Sequence, residues 1–295
     1  MPVVLVHGRH PGPTLWIQAG LHGDEYDGVV ALLKWCEHVN PDALSGSVIA
    51  VPVVNVPAFT HGTASSPLDN RNLNRTFPGN DRGTWSERFA AWVLGIIEQY
   101  ARAFLDLHGG GRYLDVDHFV FYGAADAAGR NSSLDLAAAT GARYLCPQPA
   151  VHEGALYAVL AARGIPAVLV EAGGGPSWRP EAVECHLTAI RGALRAVKMV
   201  DDPGPAGPPT EPSGGTRIVR RVIELRSSRG GIALHRVPVG AIVSQGELLL
   251  ELHDYHGQVR EHLVSPLPKA VVLSAASSAM VPPGAYAFLL GETTP

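Results

Sequence analysis

The sequence predicts an α/β fold, a mostly parallel or mixed sheet flanked by helices, followed by a small all-β barrel-like unit. Three observations carry that expectation. Over the first 200 residues, strand-like apolar runs alternate with segments of helical period, which implies a largely parallel sheet covered on both faces. Beyond residue 216 the pattern changes to short runs punctuated by Gly230-Gly231, Pro238, Gly240, Gly246, Gly257, Pro266 and Pro282-Pro283-Gly284, which reads as a small barrel or sandwich. Between the two, residues 201–216 hold five prolines and four glycines in sixteen positions. Such a stretch sustains neither a helix nor a ladder. The expected organisation is therefore 1–200, a linker at 201–216, and 217–295.

Taken in order, Met1 to Gly8 reads as a buried strand and Thr14 to Ala19 as the first clear core strand. The start lies only thirteen residues ahead of that strand, so an upstream strand or subdomain is expected to be missing or supplied by a partner chain. Glu25 to His38 places Val29, Leu32, Leu33 and Cys36 at helical spacing, and Ser47 to Val54 is a second β-branched run. Thr84-Trp85-Ser86-Glu87 is a capping-box pattern that opens a helix running to about Tyr100. Ala103–Leu107, Phe119–Tyr122 and Ala167–Glu171 read as strands, and Glu181–Val200 as a helix.

Composition narrows the function. Hydrophobic residues make up 46% of the 295, ample for a buried core. The net charge is −4 and only three of the 23 basic residues are lysines, which argues against a nucleic-acid or anionic-lipid surface. No apolar run approaches the roughly 20 residues of a membrane span. The N-terminus lacks the charged region of a signal peptide, and Cys36, Cys146 and Cys185 form no paired framework. A reduced, cytoplasmic setting is expected.

The chemistry gathers at strand ends, where open α/β sheets bind ligands. His22 and Glu25 sit three apart at the first strand-to-helix turn, and His108 ends a later strand before Gly109-Gly110-Gly111. Two His and one Glu make a three-ligand set that leaves a fourth zinc position open, the pattern of catalytic zinc. Alone, His-x-x-Glu is weak, because a helix-start Glu beside a carbonyl-bonded His fits the same spacing. Ser66 to Gly79 is a polar loop with Arg71 and Arg75; an arginine fork suits a carboxylate, although solvated arginines on a surface loop suit the stretch equally. Val168-Leu169-Val170-Glu171 delivers a carboxylate at a strand end before three glycines, a general-base candidate or a capping carboxylate.

Together, His22-Gly23-Asp24-Glu25, Asn72-Leu73-Asn74-Arg75-Thr76-Phe77-Pro78-Gly79, Asp106-Leu107-His108 and Glu171-Ala172-Gly173-Gly174 resemble the succinylglutamate desuccinylase/aspartoacylase group of the zinc carboxypeptidase-like superfamily. The resemblance spans residues 20–175. It implies that His22, Glu25 and His108 hold one Zn2+ per chain. It also implies that Glu171 is general base and acid toward the attacking water, and that Asn74 and Arg75 hold the substrate carboxylate. One departure matters: where many relatives carry an arginine in Gly-Thr-Arg, this chain reads Gly62-Thr63-Ala64, and Arg71, seven positions later, is taken as its stand-in. More loosely, residues 217–295 look like the small barrel, related to biotinyl/lipoyl domains, found in the group. Lys269 lacks the context of a carrier lysine, so the barrel reads as structural or as a pocket wall, with Tyr255 and Tyr286 equal candidates to reach the site.

His253, His256 and His262 fall within ten residues on an alternating stretch and read as a solvated face, as do His7 and His10. No G-x-S-x-G elbow, phosphate loop or dinucleotide fingerprint occurs. The expectation is a zinc amidohydrolase acting on a small-molecule N-acyl amino acid, needing neither nucleic acid nor membrane, with its oligomeric state, a homo-oligomer included, left open. Two rivals stay open as well: a carboxypeptidase-type peptidase with the same metal and base, and a non-catalytic zinc-dependent binder of acyl amino acids.

Overall fold

The computed structural model describes residues 1–123, 131–149, 152–201 and 216–293. Most of the Pro/Gly-rich linker lies outside the described residues. In the first 200 residues the elements are β1 (Val4–His7), β2 (His10–Ala19), α1 (Asp27–His38), β3 (Ser45–Val51), α2 (Val56–His61), α3 (Trp85–Tyr100), β4 (Ala103–His108), β5 (Leu114–Tyr122), α4 (Ser132–Ala139), β6 (Tyr144–Pro147), α5 (Leu156–Ala162), β7 (Ala167–Gly174) and α6 (Pro180–Ala196). Strands follow from Arg217 onward: β8 (Arg217–Ile218), β9 (Val222–Arg226), β10 (Gly231–His235), β11 (Ile242–Ser244), β12 (Leu248–His253), β13 (Val259–Val264), β14 (Lys269–Ala276), β15 (Met280–Val281) and β16 (Tyr286–Glu292).

The order β1-β3-β2-β4-β7-β5 builds the N-terminal half of a larger mixed sheet. β3, β2, β4 and β7 run parallel, while β5 turns antiparallel to β7. Strand alternation then decides the layers, because successive side chains point to opposite faces. Leu15, Ile17, Leu105, Val168 and Val170 face one way and pack with Val29 and Leu32 of α1, Leu136 of α4 and Ile190 of α6. Trp16, Phe104, Leu169, Phe119 and Phe121 face the other way, against Val93 and Ile97 of α3 and Tyr157 and Leu160 of α5. The capping box at Thr84 and Glu87 starts α3 as its sequence pattern requires.

Two local expectations change. β1 is an edge strand, paired to β3 alone; Val6 is buried but Leu5 is 73% exposed. Apolar residues are as compatible with a half-covered edge as with a centre, so composition could not tell them apart. α1 begins at Asp27, leaving Glu25 in the loop rather than in the helix.

The sheet does not stop at the linker. Ser274, Ala275 and Ala276 of β14 pair with Val116, Asp115 and Leu114 of β5, and β16 and β9 follow outward, all antiparallel. A second sheet, β13-β12-β10-β15, lies against this extension, and Leu249, Leu252, Val272, Phe288 and Leu290 form the core between them. The opposite faces of β14 and β16, through Val271, Leu273 and Leu289, join the core of the first half.

Candidate active site

Gly20, in the left-handed region at φ 62°, turns the chain out of β2 into the loop that carries His22 and Glu25. That loop is clamped at Gly23. Its N–H donates to the Thr63 carbonyl at 2.9 Å, and a Cβ placed there would stand 2.0 Å from the Ala58 carbonyl carbon. On the other side, the Asp27 carboxylate accepts from the N–H groups of Gly174 (3.2 Å) and Arg179 (2.7 Å), tying the start of α1 to the turn after β7.

β4 supplies the other ligand candidate. In register, His108 stands beside Glu171 of β7, and Glu171 beside Phe119 of β5. His22 Nδ1 is 2.7 Å from Glu25 Oε1, and His108 Nδ1 is 2.8 Å from Glu25 Oε2. The two imidazoles meet edge to face at 4.9 Å. Among the described residues these three form the one set of His, Cys, Asp or Glu side chains that could hold a metal, their ligand atoms all within 4.8 Å of one another.

The surrounding groups aim those nitrogens. Asn72 Oδ1 is fixed as an acceptor by the Asn74 N–H (2.8 Å) and lies 3.1 Å from His22 Nε2, which therefore donates to it. Asp106 Oδ2 lies 3.3 Å from His108 Nε2. Both rings turn Nδ1 toward the Glu25 carboxylate. Two imidazole nitrogens and a carboxylate converging on one point make a donor set that fits a divalent metal, which would take the place of the Nδ1 protons. Behind Asp106 the chain of bonds continues: Gln18 donates to Asp106 Oδ1 (3.1 Å) and Trp16 donates to Gln18 (3.1 Å), all buried.

Glu171 presents Oε2, buried and without a hydrogen-bond partner among the described residues. Burial first, then the Glu25 charge, pushes its carboxyl well above the usual carboxylate range. Asn74 is buried, and its Oδ1 accepts from the Leu156 N–H at 3.0 Å, which leaves the amide NH2 for a ligand. Arg75 donates to the Asn74 carbonyl (2.8 Å), and its charge interacts with Tyr157, Glu224, Glu171 and Glu25. Arg71 goes elsewhere: its Nη1 lies 3.6 Å from Glu87 at the start of α3. The two tyrosines of the last 80 residues also separate. Tyr255 is 80% exposed on a turn, whereas Tyr286 sits where the charges of Glu224 and Glu171 act on its phenol. His253 is bonded to Glu251 and Gly257, and His256 and His262 are exposed, as are His7 and His10.

Sequence reasoning gave no role to Asp106, Asn72 or His152. Asp106 was legible, since residues two apart on a strand share a face. His152 carried no local signal; it packs on Phe121 and Tyr157, and its turn is bonded to Phe77 and Asn74.

The family model for the succinylglutamate desuccinylase/aspartoacylase catalytic domain matches residues 11–197. The N-α-acetyl-L-2,4-diaminobutyric acid deacetylase of Halomonas elongata is 33% identical over 256 residues, covering 86% of this chain and 74% of the relative. Among solved structures, a succinylglutamate desuccinylase/aspartoacylase from Rhodobacter sphaeroides superposes with a TM-score of 0.86 at 28% identity, covering 100% of this chain and 89% of the other. The product-bound ectoine utilisation protein EutE (DoeB) from Ruegeria pomeroyi does so with a TM-score of 0.86 at 25% identity, covering 99% and 89%. With the His-x-x-Glu loop, the Asp-x-His strand end and the Asn-Arg loop assembled at one point, the chain belongs to the succinylglutamate desuccinylase/aspartoacylase family.

Proposed function

We propose that this protein is a zinc-dependent deacylase that removes a small acyl group from an N-acyl amino acid or related amine by attack of water. The observation that carries the reading is the convergence of His22 Nδ1, His108 Nδ1 and the Glu25 carboxylate beside the buried carboxylate of Glu171. His22, Glu25 and His108 would hold the ion. When bound, zinc supplies Lewis-acid polarisation of the acyl carbonyl and acidifies water. Glu171 takes the proton of the attacking water at a carboxylate oxygen and passes it to the nitrogen of the departing amine. Arg75, with the free amide NH2 of Asn74, anchors the substrate carboxylate. Asp106 and Asn72 keep the two imidazoles in the tautomer that presents Nδ1.

The Halomonas relative is named for an acetylated diamino acid; Glu224 of β9, whose Oε2 is bonded by Arg226 and whose charge acts on Arg75, would offer its other oxygen to a second amine of such a substrate. In the same reading, residues 1–200 carry the chemistry, 217–295 wall the pocket and the enzyme works in the cytoplasm. No helix among the described residues is long and apolar enough to cross a membrane.

The test is primary-amine release from a panel of N-acyl amino acids, acetylated diamino acids included, by zinc-loaded protein. Glu171→Gln is expected to keep its zinc and lose about 10²–10⁴ in rate, because only the proton carrier is removed. Residue release from short peptides instead would point to a carboxypeptidase, and tight binding without turnover to a binder. Equal rates for wild type and Glu171→Gln would remove that carboxylate from the mechanism.

A further inference from the structure

The turn that carries His152 is built onto the wall of the site. Gly154 accepts through its carbonyl from the Phe77 N–H at 3.1 Å, and Leu156 donates to the Asn74 side chain, so this turn is hydrogen-bonded to the Asn72–Phe77 loop at both ends. The imidazole packs edge to face on Phe121 of β5 at 4.6 Å, on the sheet face that also presents Phe119 and Glu171. Its Nδ1 lies 2.9 Å from the Tyr157 hydroxyl. Tyr157 is fully buried, and among the described residues His152 is the only hydrogen-bond partner of that phenol. A phenol is a strong donor and a weak acceptor, so the bond runs from Tyr157 O–H to Nδ1 and leaves the imidazole proton on Nε2.

We propose that His152 is a substrate-contacting donor of the deacylation: its Nε2–H, fixed in that tautomer by Tyr157, bonds the oxygen of the scissile carbonyl as negative charge gathers there. This inference rests on the deacylase reading above. The ring lies close enough to Arg75 for the guanidinium charge to act on it. Burial first, then the Arg75 charge, lowers its pKa to about 3, so it stays neutral while remaining a donor. The position also fills a need. Ala64 has no donor to offer, and Arg71 is turned to Glu87. A donor aimed at developing oxyanion charge acts mainly on kcat, typically by about 10²–10³-fold.

Two variants separate a donor from a structural ring. His152→Phe keeps an aromatic against Phe121 and removes the N–H; His152→Gln places an amide N–H near the Nε2 position. Steady-state kinetics on the best N-acyl amino acid should show His152→Phe down about 100-fold in kcat with KM within about threefold, and His152→Gln recovering most of that loss. A loss confined to KM, equal losses in both variants, or wild-type kcat in His152→Phe would each overturn the proposal. Nitrogen-15 NMR of the His152 ring provides a readout independent of turnover. A proton on Nε2 and an accepting Nδ1 are expected, with the Nδ1 signal shifting in Tyr157→Phe. A proton on Nδ1 would overturn the proposal even if either variant failed to fold. Absence of turnover by wild type on every acyl amino acid would instead fail the deacylase reading, with the tautomer still measurable.

Discussion

His186 offers a clean test of how this fold pays for a buried imidazole. It lies on α6 with no exposed surface, and neither ring nitrogen has a hydrogen-bond partner among the described residues. Burial first and the neighbouring His118 of β5 second depress its pKa to about 3, with His108 adding to that and the Ala172 backbone and Glu25 opposing it. In the unfolded chain the ring takes a proton near 6.5; in the folded chain it stays neutral down to about 3. The stability gained by a neutral His186 is therefore whole above pH 6.5 and drains away as pH falls toward 3. At ~1.4 kcal/mol per pH unit, moving from pH 7 to pH 4 withdraws about 3 kcal/mol through this residue. His186→Leu removes the titration while leaving an apolar side chain of similar size. Urea unfolding of wild type and variant at pH 7 and pH 4 is the assay. The variant should lose about 3 kcal/mol less between the two pH values. Groups common to both proteins, the metal-ligand set included, cancel in that difference. Equal losses within ~0.5 kcal/mol would refute the reasoning.

Four further outcomes are expected. Asp106→Asn should weaken zinc affinity about 10–100-fold, measured by competition with a chelator, because the carboxylate that orients His108 becomes an amide; His108→Ala should hold no zinc at all. Gly23→Ala should lower stability by about 1–3 kcal/mol in thermal unfolding, since its Cβ collides with the Ala58 backbone and the His22–Glu25 loop must shift. Arg75→Ala should raise KM for acyl amino acids about 10–100-fold, the worth of a charged hydrogen bond, while acyl amines lacking the carboxylate lose little.

Much of this was legible in the sequence, for reasons that can be stated residue by residue. His108 and Glu171 end apolar runs, and parallel strands in register bring such ends side by side. Asp106 could have been added on strand periodicity alone. Arg71 could not be placed, because its direction is set by Glu87, whose position depends on where α3 starts in space. His152 was hidden because nothing local distinguishes it; the bonds from its turn to Asn74 and Phe77 are made across some 80 residues of chain. The direction of β5 was out of reach, since that strand reads the same whether it runs with or against β7.

The pairing of β14 with β5 carries a consequence for how the protein can be divided. Leu114 to Val116 are hydrogen-bonded to the C-terminal strands, and Val271, Leu273 and Leu289 are buried in the same core as Phe119 and Tyr157. Residues 1–201 produced alone would expose an open strand edge and an uncovered apolar surface, both invitations to self-association. Supplied as two separate polypeptides, 1–201 and 216–293 would carry complementary edges, each the partner that completes the other's sheet.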